Sequence, residues 1–446
     1  MGLRALLATL AIAAPLAIGV STQQKVTSGA PFALVGGTLI DGGTGAPVRN
    51  SVVLVRGERI EKVGAAGTLE VPAGYVVVST EGMTVLPGLW DPHVHLLYGG
   101  HPDFGAWFTQ HAKDFEQVTM PASAQQLLMA GVTSVRDLGA PLDAVMAVKK
   151  RIASGELQGP TLYLAGPVLM NGAPPYFTHA ISVTSDSDAR AKVRRLITAG
   201  VDVIKLANVE QMPPAAPPAI VAETHARGIK VTAHGRTDAE IRIGLASGVD
   251  EFQHIGTESP EYPPDVIAAI RQRMKTGPPL TWSLTVATQF NADELASDPE
   301  FLDDPRNFLG LPVTIVNEVR QAAAKALATA KPPSPDVPRI VKRKVTQLRE
   351  LGVDFVFGSD IGGFGAPAGA GTWRELEAWV RDLGIDPATV IRKATSDAAR
   401  MMGERQSGTI AATMYADIIA VRGNPLRHID VLRDPAIVIK HGEQYK

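Results

Sequence analysis

The sequence predicts an α/β protein, a (β/α)8 TIM barrel with a small β-sandwich domain built from both chain ends. Three observations predict this architecture. Short apolar runs alternate with helical patterns from residue 83 to about residue 403, β-rich runs come before that region, and β-rich runs return after it. We therefore expect a barrel over residues 83–407 and a composite β-sandwich over residues 32–82 and 408–446.

The two chain ends carry strand patterns without a long helical period. Val52–Val55 and Val76–Ser79 are β-rich, and Arg56–Arg59 is a turn candidate after the first of them. Ala416–Val421 and Ile437–Lys440 have the same character near the C-terminus. We expect these later strands to pair with the N-terminal ones, so that both chain ends form one small β-domain.

The middle of the chain contains eight apolar runs with the length and composition of buried strands. Helical patterns separate most of them, as in repeated βαβ units, and eight such units predict a closed barrel rather than an open sheet. Two helix starts carry a capping box, Thr237 with Glu240 and Thr372 with Glu375, and Gly248 marks the end of the first of these helices. The strand candidates are Val85–Asp91, Val132–Asp137, Thr161–Gly166, Val201–Leu206, Lys230–Ala233, Glu251–His254, Leu280–Ser283 and Phe355–Ser359.

A long insertion separates the seventh and eighth strand candidates, at about residues 287–345. It contains Pro332-Pro333-Ser334-Pro335, which predicts a stiff non-helical link. We expect the insertion to be a helical excursion over one face of the barrel, and a candidate lid.

The composition of the 446 residues excludes several kinds of site. Hydrophobic residues at 45% and charged residues at 20% are ordinary for a globular protein, and a net charge of −2 supplies no strong field for nucleic acid or an anionic membrane. The absence of cysteine excludes disulfides, thiolate metal ligands and a cysteine nucleophile. Any transition-metal site must therefore use histidine, carboxylates or another oxygen donor.

The N-terminus has the pattern of an export signal, which we place at residues 1–23. Arg4 supplies the positive start, and Ala5–Val20 is an uncharged run that is short for a membrane span. Cleavage between about Gly19 and Gln24 would leave no stable membrane anchor, and retention of the segment as an anchor is the alternative. A lipid anchor is excluded because it requires a cysteine. We expect a secreted or periplasmic protein.

Six titratable residues fall at the C-terminal ends of predicted strands. These ends meet at one face of a TIM barrel, where barrel enzymes build their active sites. Residues two apart in a strand point to the same side, so His93 and His95 can reach one ion. The six residues are His93, His95, Lys205, His234, His254 and Asp360.

Each of these residues has an ordinary structural interpretation when it is taken alone. A single His-x-His is more often a surface or structural feature, one lysine after a strand is usually exposed, and Asp360 could cap a helix. All of these interpretations would have to hold together, whereas one metal site explains the six positions at once. The sequence therefore predicts a metal centre.

The motifs around these positions resemble those of the amidohydrolase superfamily, over about residues 32–446. The resemblance is closest to the subgroup that contains imidazolonepropionase-like proteins, bacterial Xaa-Pro dipeptidases (prolidases) and ochratoxin-hydrolysing amidases. The segments that carry it are Leu86–His95, Gly131–Asp137, Gly200–Lys205, Gly248–His254, Gly358–Asp360, Ala416–Ile419 and Gly423–Leu426.

The resemblance implies two divalent metal ions. Zinc suits the histidine-rich donor set best, with manganese or cobalt as alternatives. His93 and His95 would bind the more buried ion, and His234 and His254 the more exposed one. Lys205 would be carboxylated by CO₂, so that the two oxygens of its carbamate bridge the ions.

The resemblance also implies a mechanism in which a metal-bridging hydroxide attacks a substrate carbonyl. The ions would activate the water and polarise the carbonyl. Asp360 would contact the buried ion, take the hydroxide proton and pass it to the departing nitrogen, as a general base and then a general acid.

Three residues are candidates for substrate binding. Tyr176 and His179 follow the third strand candidate in a loop that opens on the same face, and His179 could hydrogen-bond the reacting carbonyl. Relatives often carry a Gly-Gly-His segment there, from which this sequence departs. Arg236 could pair with a substrate carboxylate. The alternatives are a structural His179 and a solvated Arg236. The remaining histidines have no strand-end position and are expected at the surface: His101, His111, His225, His428 and His441.

Three functions are consistent with this site. The leading hypothesis is hydrolysis of the amide or peptide bond of a dipeptide or an N-acyl amino acid. The alternatives are a cyclic-amide hydrolase or aminohydrolase of the imidazolonepropionase type with one metal, and a non-catalytic binding protein that keeps its metal. Relatives commonly associate, so a homo-oligomer is also expected.

Overall fold

The computed structural model describes residues 29–290, 299–329, 334–362 and 367–446. The predicted signal peptide lies outside the described residues, as does part of the proline-rich segment of the insertion. Within the described ranges, no helix combines the length and apolarity that a membrane crossing requires.

The strands fall into two groups, those at the two chain ends and those in the middle of the chain. In chain order they are β1 (Phe32–Val35), β2 (Thr38–Leu39), β3 (Ser51–Arg56), β4 (Arg59–Ala65), β5 (Val76–Ser79), β6 (Met83–Pro87), β7 (Leu89–Val94), β8 (Val132–Asp137), β9 (Thr161–Leu164), β10 (Val168–Leu169), β11 (Ala180–Ile181), β12 (Val203–Leu206), β13 (Lys230–His234), β14 (Glu251–Gln253), β15 (Thr281–Ser283), β16 (Asp354–Val356), β17 (Ile418–Arg422), β18 (Ile437–Lys440) and β19 (Glu443–Gln444).

The strands of the chain ends form two mixed sheets. One has the order β4-β3-β1-β5, and the other has the order β19-β18-β17-β6-β2. In the second sheet β17 pairs antiparallel with β6, so that Ile418 lies opposite Pro87. The buried side chains of these strands form an apolar cluster of their own, which includes Phe32, Val53 and Ile439. The expected pairing of the two chain ends is therefore present, and the domain boundaries stay a prediction.

The strands of the middle region are all paired in parallel. They form a three-stranded sheet in the order β7-β8-β9 and a seven-stranded sheet in the order β11-β10-β12-β13-β14-β15-β16. Eight of them correspond to the eight predicted strands, whereas the two-residue strands β10 and β11 were not predicted. Parallel strands buried on both faces form near-continuous apolar runs, which is why the sequence indicated them well.

The first predicted barrel strand, Val85–Asp91, was wrong in its boundaries. The structure divides it at Gly88 into β6, which belongs to a terminal sheet, and β7, which continues to Val94. Gly88 passes so close to Thr133 that an added Cβ would lie 2.2 Å from the threonine Oγ1. Because both strands are almost completely buried, the sequence shows them as one apolar run.

Backbone hydrogen bonds also connect residues next to the two parallel sheets. The Asp202 N–H, just before β12, donates to the Leu164 carbonyl at the end of β9 over 2.8 Å. The Asp360 N–H donates to the His93 carbonyl in β7 over 2.8 Å, and an isolated parallel bridge pairs Val94 with Ile361. The segment after β16 is thereby held against β7.

Helices follow most of the parallel strands. They are α1 (Phe104–His111), α2 (Met120–Met129), α3 (Leu142–Ala153), α4 (Asp186–Ala199), α5 (Ala216–His225), α6 (Asp238–Ser247), α7 (Pro264–Thr276), α8 (Val313–Thr329), α9 (Val337–Glu350), α10 (Ala368–Arg381), α11 (Pro387–Lys393) and α12 (Ser396–Met401). The capping box of Thr237 and Glu240 is confirmed, and α6 ends at Gly248 with φ of 88°.

The second predicted capping box, Thr372 with Glu375, was wrong. Both residues lie inside α10, which begins four residues before Thr372, after Pro367. The Thr372 hydroxyl donates instead to Asp91 Oδ2 over 2.7 Å. A threonine that finds a tertiary acceptor does not need to cap a helix, and the sequence pattern cannot distinguish the two cases.

The described part of the insertion is helical, as predicted. It contains short 3-10 segments at Pro299–Asp303 and Pro305–Phe308, followed by α8 and α9. Glu318 on α8 lies 2.9 Å from His111 Nε2 at the end of α1, so the insertion packs against the segment that follows β7. Its action as a lid stays a prediction.

A buried ion pair lies among the parallel strands. Arg136 on β8 and Glu251 on β14 form two hydrogen bonds, and the side chains are 3% exposed on each partner. Arg136 Nε also donates to the Pro92 carbonyl over 2.8 Å. A buried charge is tolerated only where a partner and hydrogen bonds compensate for its lost hydration.

Glu251→Ala is therefore expected to lower the free energy of unfolding by about 3–5 kcal/mol, because Arg136 would keep a buried charge without its partner. The surface pair Arg151–Glu156, in which Glu156 is 58% exposed, supplies a matched control. Glu156→Ala should change stability by about 1 kcal/mol or less. Denaturant unfolding of the two variants measures the difference, and equal losses would contradict the prediction.

Candidate metal centre

The six predicted site residues lie at or just beyond the C-terminal ends of five parallel strands. His93 is in β7 and His95 follows it, Lys205 is in β12, His234 ends β13, His254 follows β14, and Asp360 comes four residues after β16. The backbone at His254 and Asp360 is left-handed, with φ of 74° and 54°. These unusual conformations turn the chain sharply where both side chains enter the site.

His93, His95 and Asp360 form the tightest cluster. Asp360 Oδ1 lies 3.2 Å from His93 Nε2 and 3.3 Å from His95 Nε2. Ligand atoms at about 2.0–2.1 Å from one tetrahedral zinc ion are separated from each other by about 3.3 Å. Within the described part of the chain, these three residues are the group of His, Asp and Glu side chains whose ligand atoms are all within 4.8 Å of one another.

The other histidines continue from this cluster. The ring centroids of His93 and His254 are 5.0 Å apart, and those of His254 and His234 are 4.7 Å apart. Asp360 Oδ2 lies 3.5 Å from His254 Nδ1. Lys205, His234 and Asp360 line the same cavity. The structure thus brings all six residues to one place, and their roles as ligands stay a prediction.

Burial leaves His93, His234 and His254 in their neutral form. It lowers the pKa of His93 to about 3, and it lowers the pKa of both His234 and His254 well below the usual value. Burial also lowers the pKa of Lys205 to about 7. A neutral imidazole offers a lone pair to a metal ion, and an uncharged amine does not repel one.

Asp360 is the anionic member of the site. Burial by itself would raise the pKa of this carboxyl, but the neighbouring imidazoles of His93 and His254 hold that pKa well below its usual range. The site therefore combines one carboxylate with neutral nitrogen donors. That set matches the preferences of zinc and similar divalent ions.

Several buried polar atoms of the site have no hydrogen-bond partner among the described residues. They are both ring nitrogens of His93, Nε2 of His254 and Nζ of Lys205. Buried polar groups in proteins are nearly always hydrogen-bonded, so a cluster of unpartnered ones indicates a place for an ion or water. Divalent ions held by the histidines, with an oxygen donor on Lys205, would satisfy them. The residues therefore fit such a metal centre.

Three further residues contact a candidate ligand or the segments that carry the candidate ligands. The sequence analysis did not single them out. Asp91 accepts hydrogen bonds from the Ser359 hydroxyl over 2.5 Å and from Thr372, which ties β7 to the segment before Asp360. Asp137 accepts from the N–H groups of Leu96 and Gly139, over 2.9 Å in each case. The Thr285 hydroxyl lies 2.9 Å from His254 Nδ1 and leaves Nε2 available. Such outer partners fix the ring orientation of metal-binding histidines.

A cavity of about 420 Å³ opens beside this centre. Part of its lining is apolar and aromatic, and the remainder carries hydrogen-bonding or charged groups. The residues that line it are His95, Tyr98, Phe104, Val168, Met170, Phe177, His179, Lys205, Ala207, Asn208, His234, Arg236, Thr288 and Asp360. Its volume is that of a small-molecule site.

Two of the three predicted substrate residues line this cavity. Arg236 is 56% exposed at its side chain and lies 3.7 Å from Asp360 Oδ2. His179 is buried, and its Nε2 is 3.2 Å from the Tyr98 hydroxyl. Tyr176 is 39% exposed and is not among the described residues that line the cavity, although its ring packs on Phe177.

The expectation that the remaining histidines are surface residues was wrong for three of them. His101 is buried at 3% exposure and stacks on Trp107. His111 is half-buried between Trp107 and Glu318, and His441 is half-buried against Tyr415. His225 and His428 are exposed, as expected. The aromatic contacts come from tertiary packing, which a position outside the strand ends does not reveal.

The sequence from residue 84 to residue 444 matches the family model described as Amidohydrolase family. No curated protein gives a significant match to the chain.

Similar solved structures extend over nearly the whole chain. A candidate prolidase from Bifidobacterium longum is 26% identical, with a TM-score of 0.71 over 94% of this chain and 96% of that chain. A Xaa-Pro dipeptidase with methionine bound in its active site is 22% identical, with a TM-score of 0.69 over 93% of this chain and 100% of that chain. The ochratoxinase of A. niger is 22% identical, with a TM-score of 0.67 over 94% and 96% of the two chains.

Proposed function

Because the chain belongs to the amidohydrolase family and is a hydrolytic enzyme acting on carbon–nitrogen bonds, we propose that it cleaves the amide or peptide bond of a dipeptide or an N-acyl amino acid. The observation that carries this proposal is the spacing of Asp360 Oδ1 from Nε2 of His93 and His95, 3.2 Å and 3.3 Å, beside a cavity of small-molecule size. One carboxylate that contacts two imidazoles at a cavity wall is suited to hold an ion and to exchange a proton with a bound substrate.

The fold that supports this activity is proposed to be a closed (β/α)8 barrel with a composite β-sandwich domain from both chain ends. Two facts support closure, the backbone bond between Asp202 and Leu164 and the contacts of Asp360 and Ile361 with β7. The shared sheet of β6 and β17 supports the composite domain.

The centre is proposed to hold two divalent ions, with zinc as the best match to its donors. His93 and His95 would hold one ion, and His234 and His254 the other. Lys205 would carry a carbamate. Its buried amine is uncharged in part near neutral pH, so the nitrogen lone pair can form a bond to the carbon of CO₂ and release a proton. The resulting anion would replace an unpartnered Nζ with two oxygen ligands.

When they are bound, the ions supply an activated water and polarise the substrate carbonyl. Asp360 takes the proton of the attacking water, because its carboxylate is ionised and faces the cavity. It then delivers that proton to the nitrogen that departs, so that one residue is base and then acid. Arg236 is placed to pair with a substrate carboxylate, since its exposed guanidinium lies at the cavity wall.

The apolar part of the cavity gives a reason to include N-acyl amino acids among the substrates. Phe104, Phe177, Val168 and Met170 offer a surface for an acyl chain or a ring. The proposed location is secreted or periplasmic, on the pattern of residues 1–23. We also propose that the protein forms a homo-oligomer and has no nucleic-acid or membrane partner.

Removal of metal is expected to abolish hydrolysis and to lower the thermal unfolding midpoint. An ion that binds only the native state at a thousandfold excess over its Kd stabilises that state by about 4 kcal/mol. The measurement is turnover of a dipeptide and N-acyl-amino-acid panel before chelation, after it, and after zinc, manganese or cobalt is restored. Hydrolysis that persists in a protein shown to be metal-free would contradict the proposal.

A single-metal cyclic-amide hydrolase or aminohydrolase remains the second candidate. The compact group of His93, His95 and Asp360 favours it, because these three residues can hold one ion without Lys205. The number of ions bound per chain separates the two candidates. Two ions favour the amide or peptide hydrolase, and one ion together with turnover of a cyclic amide favours the alternative.

A further inference from the structure

Tyr98 is a cavity residue to which the mechanism so far gives no role. It comes three residues after His95, and its ring centroid lies 4.9 Å from that of His95. It also stacks on Phe104 at 4.8 Å. The tyrosine is only partly buried and lines the cavity together with Lys205 and Asp360.

The backbone that carries Asp360 packs directly on this tyrosine. Gly362 has φ of 105°, and an added Cβ there would lie 2.7 Å from Tyr98 Cβ. The Gly100 N–H donates to the Gly362 carbonyl over 2.9 Å. The ring of Tyr98 is therefore held between Phe104 and His95. The backbone of Gly100, two residues further on, is hydrogen-bonded to the segment that follows Asp360.

His179 determines how the Tyr98 hydroxyl can be used. The two side chains are joined by a hydrogen bond of 3.2 Å between the hydroxyl and Nε2. His179 is 4% exposed, and its Nδ1 has no partner among the described residues. A buried N–H without a hydrogen-bond partner is rarer than a buried acceptor without one. The ring proton of His179 therefore belongs on Nε2 rather than on Nδ1. His179 then donates to the tyrosine oxygen, and the tyrosine O–H is left to donate elsewhere.

From this geometry we propose that the Tyr98 hydroxyl donates the hydrogen bond that stabilises the negative oxygen formed on the substrate carbonyl, and that His179 positions that hydroxyl. The inference rests on the proposed amide hydrolysis. It assigns to Tyr98 the contact with the carbonyl that the sequence analysis considered for His179. His179 acts through the tyrosine.

A donor aimed at the developing oxygen contributes mainly in the transition state. Removal of one such donor commonly lowers kcat by about 10²–10³-fold and changes substrate binding little. Tyr98→Phe deletes the hydroxyl and keeps the ring that packs on His95 and Phe104. Tyr163→Phe is the matched control, because the hydroxyl of Tyr163 lies near Glu404, away from the residues that line the cavity.

The first measurement compares kcat and KM of the metal-loaded variants on an amide that the wild type hydrolyses. Tyr98→Phe is expected to lose about 10²-fold or more in kcat with KM within about threefold. Tyr163→Phe should retain wild-type kcat. Metal content and thermal midpoint are measured for each variant. A kcat within twofold of wild type in a Tyr98→Phe protein with full metal content would overturn the inference.

The second measurement tests whether His179 acts through Tyr98. His179→Leu should lower kcat by about tenfold, and His179→Gln, whose amide N–H can replace Nε2–H, should recover most of it. The double variant Tyr98→Phe/His179→Leu should be no slower than Tyr98→Phe alone. If the fold-losses in kcat of the two single variants multiply in the double variant, His179 contacts the carbonyl itself, and the assignment is overturned. If Tyr98→Phe does not fold, the single His179 variants still test the inference, because a folded His179→Leu protein with full metal content and wild-type kcat would overturn it.

The third measurement does not depend on turnover. A phosphonate analogue of the substrate carries a tetrahedral, negatively charged centre, and Tyr98→Phe should weaken its binding in parallel with the loss of kcat. Equal binding by both proteins would overturn the inference. If the metal-loaded wild type hydrolyses no amide of the panel, the proposed function fails and this inference fails with it. An active wild type with an equally active Tyr98→Phe variant defeats only the inference.

Discussion

Asp360→Asn is expected to lower kcat by about 10²–10⁴-fold while the protein keeps its metal. The amide oxygen can still face the ion, but the amide cannot take a proton from water or return it to a leaving nitrogen. The carboxylate can accept a proton because it is ionised in the site, where His93 and His254 hold its pKa well below the usual range. Turnover of the best substrate of the panel and metal analysis of the same sample measure the two quantities together.

A surface carboxylate supplies the control for that substitution. Asp265 pairs with Arg242 and is 61% exposed, so Asp265→Asn should leave both turnover and metal content unchanged. An Asp360→Asn protein with full metal content and unchanged turnover would contradict the assigned role. The non-catalytic binding protein would then be the better hypothesis.

Lys205→Met is expected to remove one of the two ions and to lower turnover at least about 10²-fold. Methionine fills nearly the same space in a position that is 1% exposed, but it can neither form a carbamate nor supply an oxygen ligand. The ion at His234 and His254 should be the one lost, since Asp360 Oδ1 already supports the cluster with His93 and His95. Metal analysis of the purified variant measures the number of ions per chain.

The opposite result is equally informative. Two ions retained in Lys205→Met, with turnover unchanged, would contradict a carbamate bridge. One ion in both the wild type and the variant would favour the single-metal alternative. A short carboxylate added to Lys205→Ala tests the chemistry of the bridge, because the truncation leaves space for the two oxygens that the carbamate would have supplied.

The sequence predicted the arrangement of the site for a simple physical reason. Parallel strands place their C-terminal ends at one edge, so a residue at the end of each strand must approach the others. His93, Lys205, His234 and His254 follow this rule, and their positions could be predicted without knowledge of any angle or distance. Asp360 departs from it slightly, since three residues separate it from β16.

Contacts between distant elements could not be predicted in the same way. Thr372 matched a capping pattern, but its hydroxyl bonds to Asp91, 281 residues earlier in the chain. His101 follows no strand end, yet its ring is buried against Trp107. The division at Gly88 was hidden because β6 and β7 are both apolar. In each case a tertiary contact determines the conformation of the residue, and a single sequence does not show which residue makes that contact.

The side of the cavity wall that carries the nitrogen and oxygen donors and the aromatic side come from different parts of the fold. The nitrogen and oxygen donors stand on strand ends that neighbouring strands fix. Phe104 opens α1, and Phe177 lies in the loop between β10 and β11. Neither of these aromatic side chains can form a hydrogen bond that orients one of the donors. Substitution at these two positions is therefore expected to change which substrate group the cavity accepts, and to affect the reaction only through the packing of Phe104 on Tyr98 and of Phe177 on His179.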